Sequence, residues 1–233
     1  EIAGFATGEA EITGLPEAMR GKAEIKIANG KYGNKAIDDF TSKLTLDGSQ
    51  VDLADLKLRS GESTLTGAVN FDTKTKGYRA KLQGTGIDLN EWVNVAREED
   101  QPPIPLIGRV DITLDAEAAA FELDEKKGRI FDRLEATATS KEIIYKNEPI
   151  RNAMLNLSGR DSVAQLNLKA DALSQSHTGA GQIDFSQPEM PITMALDFKD
   201  LEVVRVLDVA AASDLQAGGG APGQVGIAGD RAG

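Results

Sequence analysis

Cysteine is absent from the 233 residues, histidine and tryptophan occur once each, and aromatic residues make up only 5%. Without cysteine there is no disulfide framework, no thiolate metal site and no thiol nucleophile. The compartment stays open, because an oxidising space does not require disulfides. So few aromatics leave little to stack on nucleic-acid bases. The charge balance, 26 Lys plus Arg against 37 Asp plus Glu for a net −11, has the wrong sign for neutralising phosphates. No nucleic-acid partner is expected. Long apolar runs are also missing, and none approaches the roughly 20 residues of a membrane-spanning helix. Glu1 opens the chain with neither an initiator Met nor a signal peptide, and a piece of a longer protein is the expectation.

Chemistry-bearing constellations are equally scarce. The lone His177 in SQSHTGAG has no companion ligands and no positioned nucleophile, so it reads as a strand-end histidine. The run Glu98-Glu99-Asp100 lacks the alternating carboxylates and glycine turn of a calcium loop and reads as linker. GTG at 84–86 and GGG at 218–220 do not sit in a strand–loop–helix phosphate cradle. The first reads as a relaxed strand end and the second as linker. No catalytic residues, metal ligands or cofactor are expected, and the chain is not read as an enzyme.

A 40% hydrophobic fraction is ample for a core, and what it is arranged into is a repeat. STLTGAVNFD at 63–72 lies over HTGAGQIDFS at 177–186, matching Thr64 to Thr178, Gly67 to Gly181 and Phe71 to Phe185. AKLQGTGIDLNEWVNV at 80–95 aligns without gaps to MALDFKDLEVVRVLDV at 194–209, the same displacement of 114 (194 − 80). Tyr32 and Ile37 match Tyr145 and Ile150, and GEAEIT at 8–13 matches GRVDIT at 108–113 and GQVGIA at 223–228. The second copy carries about 13 extra residues (37 against 24 from the glycine to the tyrosine), assigned to DAEAAAFELDEKKG. Repeats at residues 1–107 and 108–222 and the start of a third at 223–233 follow, and stacked repeats bury a shared core.

Within each copy apolar and polar residues alternate, the period of strands with one dry face. The inward sets are Leu44 and Leu46, then Leu65, Val69 and Phe71, then Tyr78, Ala80 and Leu82. Their second-copy counterparts are Leu155 and Leu157, Leu166 and Leu168, Ile183 and Phe185, and Ile192, Met194 and Leu196. Turns are read at Asp47-Gly48, Ser60-Gly61, Lys76-Gly77 and Ser158-Gly159. Short links favour an antiparallel meander over a parallel sheet between helices. One short helix per copy is expected, at Leu89–Glu98, where Trp92 pins it to the sheet, and at Leu201–Ala212. The fold class is therefore mainly β: an elongated antiparallel meander, about two tandem repeats long, curled into a groove. Seven or eight strands per repeat would advance roughly 35 Å at strand spacing. A dry face can also close against a second sheet, which leaves a tandem β-sandwich stalk or adhesin as the alternative.

The stretch LDGSQVDLADLKLRSGESTLTGAVNFD, the segment AKLQGTGIDLNEWVNV and the block EIIYKNEPIRNAMLNLSGRDSVAQLNLKADALSQSHTGAGQIDF resemble the AsmA/TamB superfamily, whose repeated β-groove units are similar to bridge-like lipid-transfer proteins. The resemblance covers nearly the whole chain and rests on periodicity and glycine placement. It implies a β-taco-like groove offered to phospholipid acyl chains, in a periplasmic part of an inner-membrane-anchored envelope protein. It further implies contacts with inner and outer membrane through segments outside this sequence. An outer-membrane assembly protein is an implied partner, and lipid transport or outer-membrane biogenesis the implied role.

Overall fold

Alternating apolar residues joined by two-residue turns leave a chain little choice but to pair each strand with the next, and the computed structural model follows that rule. It describes residues 2–14, 18–32, 35–94, 103–123, 128–187, 190–197 and 225–226. The first copy contributes β1 (Ile2–Thr13), β2 (Arg20–Tyr32), β3 (Lys35–Asp47), β4 (Gln50–Ser60), β5 (Ser63–Asp72) and β6 (Tyr78–Asp88), then the helix α1 (Leu89–Val93). The second contributes β7 (Leu106–Ala118), β8 (Glu122–Leu123), β9 (Gly128–Arg129), β10 (Arg133–Tyr145), β11 (Glu148–Arg160), β12 (Val163–Ala172), β13 (Gln175–Asp184) and β14 (Ile192–Asp197). A last strand, β15 (Val225–Gly226), completes the described chain.

Apart from β8 and β9, which form their own two-stranded ribbon, all strands join one sheet in chain order. Twelve of them form an antiparallel meander that does not close into a barrel. β15 adds to β14 in parallel, through Met194–Val225 and Ala195–Gly226. Among the described residues each copy therefore contributes six strands to the sheet, where seven or eight were expected. β2 and β10 begin 113 residues apart (133 − 20), as do β3 and β11 (148 − 35) and β4 and β12 (163 − 50). The copies share one sheet: β6 pairs with β7 from Tyr78–Ala118 to Asp88–Arg109. β7 starts at Leu106, two residues ahead of the expected repeat boundary (108 − 106).

The extra segment of the second copy begins later than its sequence suggests. Asp115 to Ala118 still belong to β7, which runs five residues past Thr113 (118 − 113), the counterpart of Thr13 at the end of β1. Only from Ala119 does the chain leave the sheet. α1 is one turn long, ending at Val93 rather than reaching Glu98. Asp88 caps it by accepting from the Glu91 N–H (3.2 Å), and Asn94 ends it by bonding both Ile104 N (2.9 Å) and Ile104 O (3.3 Å). Glu91 pairs with the buried Lys35 at the start of β3, which ties the helix to the sheet. The expected second helix, the acidic run 98–100 and the glycines at 218–220 lie outside the described residues.

Irregularities sit where alternation breaks. Asp55 (φ 51°) is an extra residue in β4, so Leu53 and Leu56, three apart, face the same side opposite Val69 and Gly67. Gly86 (φ 61°) does the same in β6, and Asn152 (φ 49°) in β11. The GTG at 84–86 is thus a β-bulge rather than a strand end. Bulges turn carbonyls out of the ladder. Buried serines collect them: Ser42 Oγ donates to Ala54 O (3.1 Å), Ser63 Oγ to Gly86 O (3.1 Å) and Ser140 Oγ to Glu142 O (3.0 Å).

Three hairpins turn on non-glycine pairs at positive φ: Lys146-Asn147 (48°, 68°), Asp161-Ser162 (50°, 66°) and Leu173-Ser174 (51°, 68°). Ser158-Gly159 is not a turn; both residues lie inside β11, and Asp161-Ser162 makes the reversal. Two successive left-handed residues define the type I′ turn that strand twist prefers and that Asn-Gly fills with least strain. Replacing Leu173-Ser174 by Asn-Gly should stabilise the protein by about 1 kcal/mol, a rise in melting temperature of roughly 2–4 °C. Thermal unfolding monitored by circular dichroism checks it, and an unchanged midpoint contradicts the turn assignment.

Candidate apolar groove

Cross-strand register sorts the inward residues into rows that run across the strands. One row reads Leu56, Gly67, Leu82, Leu114, Ala136, Leu157, Leu166, Gly181 and Met194, from β4 to β14 without a gap. A second carries Leu65, Ile112, Leu155, Leu168 and Leu196. A third carries Leu44, Leu53, Val69, Ala80, Ala116, Leu134, Ala164 and Ile183, and a fourth Leu46, Val51, Phe71 and Tyr78. Thirteen of the fourteen residues proposed from sequence therefore share one face. Phe185 lies just past β13, outside the paired rows, and packs against Phe131 as described below. Leu56, Ile112, Leu114 and the alanines Ala116 and Ala164 were not read as inward from the sequence. Asp55 inverts the parity that would have revealed Leu56, and alanine carries no facial signal.

Side chains on this face are half-buried for the most part rather than sealed. Leu44, Leu46, Leu65, Val69, Leu82, Leu155, Leu157, Leu168, Ile183, Met194 and Leu196 are all intermediate, Leu166 is buried, and Phe71 remains 37% exposed. At the outer strands Ile12, opposite Gly21 on β1, is 51% exposed and Ile192, opposite Ile183 on β14, is 50% exposed. Such values suit a face folded toward itself with no second layer laid over it.

Glycines show which way it folds. A Cβ on Gly67 would stand 2.9 Å from Leu82 Cα and closer still to the Lys81 carbonyl oxygen; on Gly181 it would stand 2.9 Å from Met194 Cα. Both belong to the inward row, so the neighbouring backbone rises over the apolar side. The sheet is bent toward its dry face at these points, and residues without a side chain are what the bend admits. Leu196 also reaches across Gly179, with its Cδ2 2.6 Å from where a Cβ would be.

The opposite face is charged and self-satisfied. Arg79 donates to Glu117 (2.6 and 2.9 Å), Arg133 to Glu117 (3.1 Å) and to Asp115 (2.7 Å), and Lys81 lies 3.2 Å from Asp115. The hydrogen bonds from Arg79, then from Arg133, hold the Glu117 carboxyl below its ordinary value. Exposed pairs of this kind add little stability each, but they keep this side in water.

The dry face is covered at one place. The described stretches 119–123 and 128–132, which follow β7, lie over one end of the strands of the second copy as a strap. Phe121 N donates to Lys76 O (3.1 Å) at one end and Gly128 N to Ser186 O (2.7 Å) at the other. Between them Phe131, 3% exposed, sits on Ala116, Leu134 and Ala164, themselves 4%, 8% and 0% exposed. Its ring meets that of Phe185 edge-on, 5.6 Å between centroids. Tyr78 donates its hydroxyl to Ile130 O (2.7 Å). Burial, with the Asp132 charge second, pushes that hydroxyl above its ordinary value, so it stays a protonated donor. His177 lies on β13 opposite Ala170, with Nε2 3.0 Å from Ala172 O.

Among the described residues no helix is long and apolar enough to cross a membrane. Comparison with protein-family models, with curated proteins and with solved structures returns no match.

Proposed function

We propose that the bent apolar face holds the acyl chains of phospholipid, and that the protein is a non-catalytic groove segment of an AsmA/TamB-like envelope protein working in the periplasm. The observation that carries this reading is the unbroken apolar row from Leu56 to Met194, half-buried at every position but Leu56 and Leu166, which passes from one copy into the next through the β6–β7 pairing. Burying ten methylenes at about 0.8 kcal/mol each would gain roughly 8 kcal/mol, the scale of micromolar affinity before ordering costs. Head groups would remain at the strand ends in water. Twelve strands at about 4.8 Å give a trough of roughly 55 Å, long enough to pass a chain along rather than merely to house it. A stalk of two sandwiches needs a break between the copies, and the sheet has none there.

The reading is tested by lipid retention. Protein incubated with phosphatidylethanolamine and phosphatidylglycerol vesicles, reisolated and analysed by native mass spectrometry, should carry phospholipid. Val69→Asp sets a carboxylate in the trough between Leu53 and Ala80. It should keep its far-ultraviolet spectrum and cooperative melt while losing at least tenfold in retained lipid. A lipid-free wild type overturns the reading, as does a Val69→Asp that loses lipid only because it unfolds.

A further inference from the structure

The two copies treat the same position differently. Phe71 and Phe185 are repeat equivalents by sequence, 114 residues apart (185 − 71), the first near the end of β5 and the second just past the end of β13. Phe71 is 37% exposed, whereas Phe185 is half-buried with its ring edge-on to that of Phe131. The row that is open at Val69 becomes closed where Phe131 covers it, at Ala116, Leu134 and Ala164. The row through Leu65, Ile112, Leu155 and Leu168, two rows away along the strands, has no such cover: all four are half-buried.

We propose that Phe131 is a hydrocarbon stop. It ends the Val69 and Phe71 rows at β7, so a phospholipid acyl chain seated in the first copy passes into the second only along the Leu82 and Leu65 rows. The inference rests on the groove reading and assigns a path within it. It follows from volume: a buried phenyl ring held by its neighbours on four sides excludes a methylene chain from the same space. Backbone bonds at both ends of the strap, and the hydroxyl of Ser162 accepting from Ile130 N at 2.8 Å, hold the ring in place. Ile183, half-buried in the Val69 row on the far side of Phe131, is then out of reach of an acyl chain that follows that row from the first copy.

Because the chain has no cysteine, single reporters are clean. Val69→Cys, Leu155→Cys and Ile183→Cys, each labelled with bimane, are mixed with vesicles of brominated phosphatidylcholine, whose acyl chains quench on contact. Quenching at Val69 and Leu155, with Ile183 at least fivefold weaker, is expected. Adding Phe131→Ala should bring Ile183 to within twofold of Val69, and Phe131→Leu to an intermediate value should the alanine variant lack a cooperative melt. An Ile183 reporter quenched like Val69 in the otherwise wild-type chain overturns the stop, and so does one that stays silent when Phe131 is truncated. Silence at both Val69 and Leu155 is a different result: it removes the groove itself, and the stop with it.

Discussion

Gly67→Val should cost at least about 3 kcal/mol, a large fraction of the roughly 5–15 kcal/mol that holds a domain of this kind folded. Two independent terms add. Gly67 holds φ at 150°, a region where a β-branched residue is strained by roughly 1–3 kcal/mol. A Cβ there would also meet the backbone of β6, 2.9 Å from Leu82 Cα and closer to Lys81 O. The obstacle is backbone in a hydrogen-bonded ladder, so relief means pulling β5 from β6 and flattening the bend. Gly61 is the control: its φ of 59° is left-handed, yet a Cβ there meets nothing within 4 Å. Gly61→Asn should therefore cost under about 1 kcal/mol, since asparagine tolerates that turn conformation. Urea denaturation of the pair checks both. A Gly67→Val protein that unfolds with the wild-type midpoint would mean that the backbones do not approach there, and the curl toward the apolar face would lose its main support.

Much of this architecture could be read from residue order, and the failures have identifiable causes. Strand period, strand order and the sharing of one face by Leu65, Val69, Phe71 and Leu82 follow from alternation, which register merely confirms. Repeat equivalence followed from gap-free displacement, because strands joined by two-residue turns cannot absorb insertions without changing face. Leu56 was missed because Asp55 adds a residue that shifts parity, and nothing in ADLKL marks it. The Leu173-Ser174 turn was missed because neither residue favours positive φ; hairpin closure imposes it. Conversely Ser158-Gly159 has turn-like chemistry but sits mid-strand, where Gly159 lets Ala164 approach: a Cβ on it would lie 2.9 Å from Ala164 Cα. The strap was legible only as extra length. That its second phenylalanine would fold back over alanines of β7 and β12 is a tertiary fact, decided by which small residues leave room, and no local pattern encodes it.

The strap also sets the second large expected effect, at Ser162. This residue is 1% exposed, sits at φ 66° in the β11–β12 turn, and gathers the strap by its hydroxyl. Ile130 N donates to Oγ at 2.8 Å, Phe131 N approaches it at 3.4 Å, and Oγ lies 3.3 Å from Phe131 O, while Ser162 N donates to Phe131 O at 2.9 Å. Removing the hydroxyl leaves one or two backbone N–H groups buried without an acceptor, at about 1–3 kcal/mol each. Ser162→Ala should thus cost roughly 2–4 kcal/mol, all of it from the lost acceptor, since serine and alanine carry the same left-handed strain at this position. Ser162→Gly separates the causes, because glycine relieves that strain yet also lacks the oxygen. It should recover only about 1 kcal/mol of the loss. Amide hydrogen exchange gives the local readout: protection at Ile130 and Phe131 should fall in both variants, while β2–β5 amides, remote from the strap, change only as far as global stability does. If Ser162→Gly matches the wild type in stability and in exchange at Ile130, the hydroxyl is not the fastener. Phe131 would then be held by packing on Ala116, Leu134, Ala164 and Phe185 alone.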